Sequence, residues 1–90
     1  MRIALVDPSR TTRLIVARML EARGHEVVPF ADELEALVQI RTDPCIQALI
    51  TSAELKHISG VELCWETRLL ATCRRPIYVL MMSGEYDQRA

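Results

Sequence analysis

The side chains of this chain that could do chemistry stand at the ends of apolar runs. Asp7, followed by Pro8, closes the run Ile3-Ala4-Leu5-Val6; Ser52 follows Ile46 to Thr51, with Glu54 two residues on; Ser83 follows Ile77 to Met82. A carboxylate can hold a divalent cation, but Mg²⁺ demands near-octahedral oxygen ligands and binds through one or two carboxylates plus phosphate. Asp7 is the one carboxylate placed for that task, and Glu54 is the candidate for a second. A serine hydroxyl such as that of Ser52 is not ionised near neutral pH and needs an adjacent general base to act as a nucleophile. No histidine joins this set: His25 opens an apolar run and His57 stands in the loop after Ser52, and both read as solvated side chains rather than ligands. Cys45, Cys64 and Cys73 are odd in number and lack CxxC spacing, which argues against a disulfide framework or a zinc site. Each reads as a small buried apolar residue, and a reducing cytoplasm is the expected setting. Simpler roles stay open, with Asp7 capping the end of a strand and Ser52 and Ser83 satisfying loop backbone.

The elements that must position these residues alternate between two periods. Ile3 to Val6 is a short strand ended by Asp7-Pro8-Ser9, since proline cannot donate to a ladder. Ser9 is a good N-cap for a helix from Arg10 to Arg23, and Gly24 is a natural stop. On that helix Thr12, Ile15, Val16, Met19 and Ala22 share a broad apolar face, with Leu20 at its flank. His25 to Phe30 reads as a strand that Pro29 assigns to an edge. Asp32 with Glu35 forms a capping box for a helix with a stripe of Leu34, Leu37 and Val38, closed by Thr42-Asp43-Pro44. A third strand spans Ile46 to Thr51. Ser59 with Glu62 forms another capping box, opening a helix from about Gly60 to Ala71. The uninterrupted apolar run Ile77 to Met82 predicts a strand buried on both faces.

This order, βαβαβαβ, implies a parallel sheet with right-handed crossovers and helices on both faces. Ligands of such sheets bind outside the carboxyl ends of the strands, where Asp7-Pro8, Thr51-Ser52 and Ser83-Gly84 fall. Ninety residues, half of them apolar and with a formal charge of −1, make one small domain, residues 1–90. The composition excludes a disordered chain and the basic footprint of an electrostatic nucleic-acid binder. No run approaches a membrane span of ~20 apolar residues, and no signal peptide precedes the first strand.

In Val6-Asp7-Pro8-Ser9 with Thr11-Thr12-Arg13, in the spacing from Ser52 to Gly60, in Ser59-Gly60-Val61-Glu62-Leu63 and in Pro76 through Ser83-Gly84, the chain resembles the receiver domain of two-component response regulators. The resemblance is collinear over essentially all 90 residues. It implies an α/β, flavodoxin-like (CheY-like), doubly wound parallel sheet, here of order 2-1-3-4, with the family's last strand and helices lying beyond Ala90. In the family the first strand ends in two acidic residues that hold Mg²⁺; Asp7 matches the first and Pro8 replaces the second. The phosphate-accepting aspartate stands eight residues before the glycine that opens the third helix, and counting back from Gly60 reaches Ser52. Ser83 matches the family's switch hydroxyl. Phosphoryl transfer to a carboxylate needs Mg²⁺ to neutralise developing charge, so the resemblance, with these departures, implies a degenerate receiver. It is expected not to be an enzyme, to bind no cofactor or Mg²⁺ only weakly at Asp7, and to act by protein contact.

The implied partners are an output domain, a histidine kinase or another receiver, with no nucleic acid and no membrane. Val61, Trp65 and Leu69, at i, i+4 and i+8, form an apolar ridge opposite the sheet-facing side of the third helix (Gly60, Leu63, Thr67, Leu70, Ala71), and such a ridge suggests a partner surface. Lateral packing on a neighbouring helix is the competing reading. The wording of that helix, Gly-Val-Glu-Leu-Cys-Trp-Glu-Thr-Arg-Leu-Leu, looks like receivers joined to diguanylate cyclase (GGDEF) outputs. In the order 2-1-3-4 the fourth strand is an unblunted apolar edge, so self-association, with Val79 as the position that tests it, is expected. The alternatives are a functional phosphoreceiver with an unorthodox site, a flavodoxin-like interaction module outside two-component signalling, and a flavodoxin-like enzyme or nucleotide binder. The last is disfavoured because Pro8-Ser9-Arg10 has none of the glycine a phosphate loop needs.

Overall fold

The computed structural model describes residues 1–70 and 76–82. Its elements are β1 (Arg2–Val6), α1 (Arg10–Glu21), β2 (Glu26–Phe30), α2 (Glu33–Thr42), β3 (Ile46–Ser52), α3 (Gly60–Leu70) and β4 (Tyr78–Met82). All pairings are parallel, and among the described residues the strand order is β2-β1-β3-β4. Ser83, Cys73 and Ala71 lie outside the described residues.

Local signals set the element ends. The Ser9 side chain accepts from the Thr12 N–H at 3.3 Å, and the Asp32 carboxylate accepts from the Leu34 N–H at 2.7 Å. The second capping box closes in both directions: Glu62 N–H donates to Ser59 Oγ at 3.1 Å, and Ser59 N–H to Glu62 Oε1 at 3.3 Å. Gly24 takes φ +87°, a left-handed conformation open to glycine at little cost, and turns the chain from α1 to β2. Pro29 sits in β2, an outer strand, as its missing N–H requires. At the amino ends of the strands Arg2 pairs with Glu26 of β2 and, at 2.8 Å, with Asp43 before β3, tying three strands together.

The core has two unequal halves. On one face α2 and α3 cover Ala4, Val6 and Leu49, and Ala36, Ile40 and Leu63 are fully buried there. On the other face, among the described residues, α1 alone covers Ile3, Leu5, Ala48 and Ile50, through Val16, Ala17 and Leu20. This asymmetry corrects several expectations. The buried stripe of α1 is rotated, since Ile15 and Met19 are exposed. Leu14 lines a groove with Pro29 of β2, and Met19 lines another with Leu20 and His25 ahead of β2, so α1 leans toward β2. In α2 the buried side is Glu33, Ala36 and Ile40, while Leu34 and Val38 are exposed. β4 is not buried on both faces: Tyr78 and Leu80, on the α1 side, are 66% and 60% exposed because no helix lies over them among the described residues. Cys45 is exposed and Cys64 half-buried, so neither is the core residue its type suggested.

Candidate functional site

At the carboxyl end of β1, Asp7 is 8% exposed. Its Oδ1 accepts from the Ser9 N–H at 2.8 Å, its N–H donates to the Phe30 carbonyl at 3.1 Å, and its carbonyl accepts from Arg13 Nη1 at 2.5 Å. The short polar loop before α1 favours this turn, and Pro8, exposed, has no N–H to compete with that of Ser9. Arg13 reads from the sequence as a polar-face helix residue. The first turn of α1 instead swings its guanidinium back over the strand end, a contact no periodicity reveals.

At the end of β3, Thr51 is buried and Ser52 half-buried. Ser52 Oγ donates to the Glu54 carbonyl and accepts from the Glu54 N–H, both at 3.3 Å, so the hydroxyl is spent on its own loop. Glu54 meets Ser52 through its backbone; its side chain is exposed. The loop is pinned on both sides, by Ala53 N–H to the Met82 carbonyl at 3.0 Å and Gly60 N–H to the Ala53 carbonyl at 2.9 Å. Gly60 lies directly on this strand end, where a Cβ would stand 2.4 Å from the Ser52 carbonyl oxygen and 2.8 Å from Ala53 Cα. The interval from Ser52 to Gly60 is thus the loop length that brings the start of α3 back onto the end of β3.

Sequence reasoning missed the latch that holds the far side of this loop. Glu33, at the first position of α2, is fully buried, and its Oε2 accepts from the N–H groups of His57 at 2.6 Å and Ile58 at 2.9 Å. Burial works to raise the pKa of Glu33. The N–H groups of Ile58, of Glu33 itself and of His57, with the His57 charge, outweigh it and hold the carboxyl below the usual glutamate range. His57 is not simply solvated: its Nε2 lies 3.2 Å from Asp32 Oδ2. The available signal was Glu33 at the first turn of a helix, where a carboxylate is favoured, but its partner lies 24 residues away.

No protein-family model and no curated protein matches the chain. Solved structures do. The receiver domain of the hybrid histidine kinase CckA superimposes with a TM-score of 0.77 and 28% identity, over 99% of this chain and 90% of that one. CheY4 of Vibrio cholerae, crystallised at low pH, matches with a TM-score of 0.74 and 27% identity, over 97% and 74%. The N-terminal domain of a response regulator/sensory box/GGDEF three-domain protein from Carboxydothermus hydrogenoformans matches in fold, with a TM-score of 0.85 and 15% identity, over 97% and 67%. The chain has the fold of response-regulator receiver domains.

The receiver fold implies a Mg²⁺ site at these strand ends, and the donor chemistry of the residues present decides whether they fit it. Asp7 is the one buried carboxylate there among the described residues, and one of its oxygens already accepts from Ser9. Pro8 offers no side-chain donor, Ser52 Oγ is engaged, and Arg13 brings a positive charge to the Asp7 carbonyl. This set leaves the ion one Asp7 oxygen, the least of the one or two carboxylates through which Mg²⁺ is held, and, among the described residues, no second carboxylate beside it to fill the octahedral shell.

The other proposed contact residues separate into two groups. Val61, Trp65 and Leu69 of α3 are all exposed, Trp65 at 65%. Shallow grooves flank the indole, one reaching Leu34 and Leu37 of α2 and the other reaching Met81 of β4. Val79 does not belong with them. It is half-buried against the core under α2 and α3, because its place in the pleat turns it away from the open face. No helix among the described residues is long and apolar enough to cross a membrane.

Proposed function

We propose that this receiver is degenerate and signals by protein contact rather than by aspartyl phosphorylation. The observation that carries the reading is the engagement of Ser52 Oγ with the backbone of Glu54, at the position where the family places its acceptor carboxylate. A neutral hydroxyl held in this way has no general base among the described residues beside it and only Asp7 to recruit a metal. Mg²⁺ binding at Asp7 is accordingly weak. The partner surface is the Val61, Trp65, Leu69 ridge, where an aromatic anchor stands between two grooves. The wording of α3 makes a diguanylate cyclase the output to test first, with a histidine kinase or another receiver as further partners. Acetyl phosphate with Mg²⁺ is expected to leave the intact mass unchanged. A stoichiometric phosphoryl gain removed by hydroxylamine refutes this reading and favours a phosphoreceiver with an unorthodox site. The double variant Pro8→Asp, Ser52→Asp is expected to regain measurable Mg²⁺ binding, because it brings three carboxylates to the carboxyl ends of the paired strands β1 and β3.

A second reading, self-association of residues 1–90 as one domain, rests on the uncovered α1 side of the sheet. Tyr78 and Leu80 of the outer strand β4 are exposed on that side, with no helix over them among the described residues. An apolar outer strand with free ladder groups pairs with other chains. Sedimentation at micromolar concentration is expected to give a species heavier than 10.2 kDa; a sharp monomer boundary there overturns the reading.

A further inference from the structure

Asp32, Glu33 and His57 bring one carboxylate oxygen, a second carboxylate oxygen and an imidazole nitrogen within 4.8 Å of one another, at the junction of α2 with the loop after β3. Two of the three already stand at a metal-like spacing. His57 Nε2 and Asp32 Oδ2 are 3.2 Å apart, and ligands at ~2.0–2.1 Å on a tetrahedral ion are roughly 3.3 Å from each other. Glu33 supplies the independent observation. Its side chain is fully buried, and while Oε2 takes two backbone N–H groups, Oε1 is buried with no hydrogen-bond partner. A buried carboxylate oxygen without a partner is costly, and a cation between Glu33, Asp32 and His57 would supply what it lacks. His57 and Asp32 are each partly open to solvent, which gives an ion a route in and leaves room for a water as fourth ligand.

We propose that Asp32, Glu33 and His57 form a binding site for a divalent transition-metal ion of the zinc class. One imidazole and two carboxylates suit Zn²⁺ or Co²⁺ better than the all-oxygen shells of Mg²⁺ and Ca²⁺. Two carboxylates balance the ion's charge. A metal-bound imidazole nitrogen carries no proton, so protons compete with the ion for His57 Nε2. The bound ion would tie the first turn of α2 to residues 57 and 58 and so stiffen the loop that begins at Ser52. The site shares no ligand with Asp7 and does not depend on whether the receiver is phosphorylated.

The test is a Co²⁺ titration of the full 90-residue chain, followed by visible absorption and by the imidazole signals in NMR. The expected result is one equivalent bound, competed by Zn²⁺, with ligand-field bands of a nitrogen–oxygen site and no thiolate charge transfer. The ring signals of His57 should be displaced and those of His25 unmoved. Asp32→Asn, which keeps an N-cap residue, and His57→Ala should each weaken binding at least tenfold. Absence of saturable Co²⁺ binding, thiolate bands from the cysteines, or an unmoved His57 ring in the parent chain overturns the proposal. Because the ring signals are read on the parent chain, the proposal stands or falls on them even where a variant fails to fold.

Discussion

Gly60→Ala tests the contact on which the geometry of the loop after β3 depends. The added Cβ would stand 2.4 Å from the Ser52 carbonyl oxygen, 2.8 Å from Ala53 Cα and 3.1 Å from the Ala53 carbonyl oxygen. All three are backbone atoms and cannot rotate aside, so the first turn of α3 must move away from the end of β3. Gly24 is the only described residue with positive φ, so Gly60 is required for space and not for conformation. Two terms oppose each other. Alanine favours a helix over glycine by about 1 kcal/mol in a helix interior, and by less at the first position. Overpacking of a well-packed contact costs about 1–3 kcal/mol, and stretching the Gly60 N–H bond to Ala53, 2.9 Å long, adds about 1 kcal/mol. The clash wins, with a net loss of about 1–3 kcal/mol. At roughly 4–8 °C per kcal/mol for a domain of this size, melting should fall by about 5–20 °C. The assay is thermal unfolding by circular dichroism at one fixed protein concentration, since association also moves the midpoint. Gly24→Ala is the control: with no atom within 4 Å of its Cβ, it meets only the left-handed strain of about 1 kcal/mol. A Gly60→Ala chain that melts at or above the parent refutes the contact, and with it the placement of Ser52 under the start of α3.

Glu33 contributes stability through a folded-state pKa held below its unfolded value; that contribution is present above the ordinary glutamate range and is lost as pH falls through the depressed folded value. Unfolding midpoints followed downward from about pH 4.3 should therefore drop more steeply in the parent than in Glu33→Gln, and equal slopes would exclude the latch. Asp7→Asn keeps an acceptor for the Ser9 N–H and should change stability by less than about 1 kcal/mol, whereas Asp7→Ala removes that acceptor and should cost about 1–2 kcal/mol; denaturant melts separate them. Leu80→Lys places a charge on the open side of β4 and should shift the sedimentation profile toward monomer without lowering the melting midpoint of the monomer; unchanged association would move the contact to the Trp65 ridge. Val79→Lys is the wrong probe for that purpose, because it buries a charge against the core.

Much of the architecture was legible along the chain because its causes are local. Alternating periods, two proline stops, the Ser9 cap and the Ser59–Glu62 box set the elements and their order, and the short crossovers then leave a parallel sheet as the way to cover the apolar strands. The positions Asp7 and Ser52 at strand ends follow from the same logic, since a strand's last residue is read from where its apolar run stops. Tertiary structure decided what a single period cannot encode. The face that a helix buries depends on which neighbours exist: α1 leaves Ile15 and Met19 open because it leans toward β2, and β4 leaves Leu80 open because no described helix lies above it, although its residues are as apolar as those of β3. The partners of Glu33, Arg13 and His57 likewise depend on how loops distant in sequence meet. A buried carboxylate and two backbone N–H groups 24 and 25 residues away carry no mutual sign in sequence, because hydrogen bonding to backbone asks nothing of the partner's side chain.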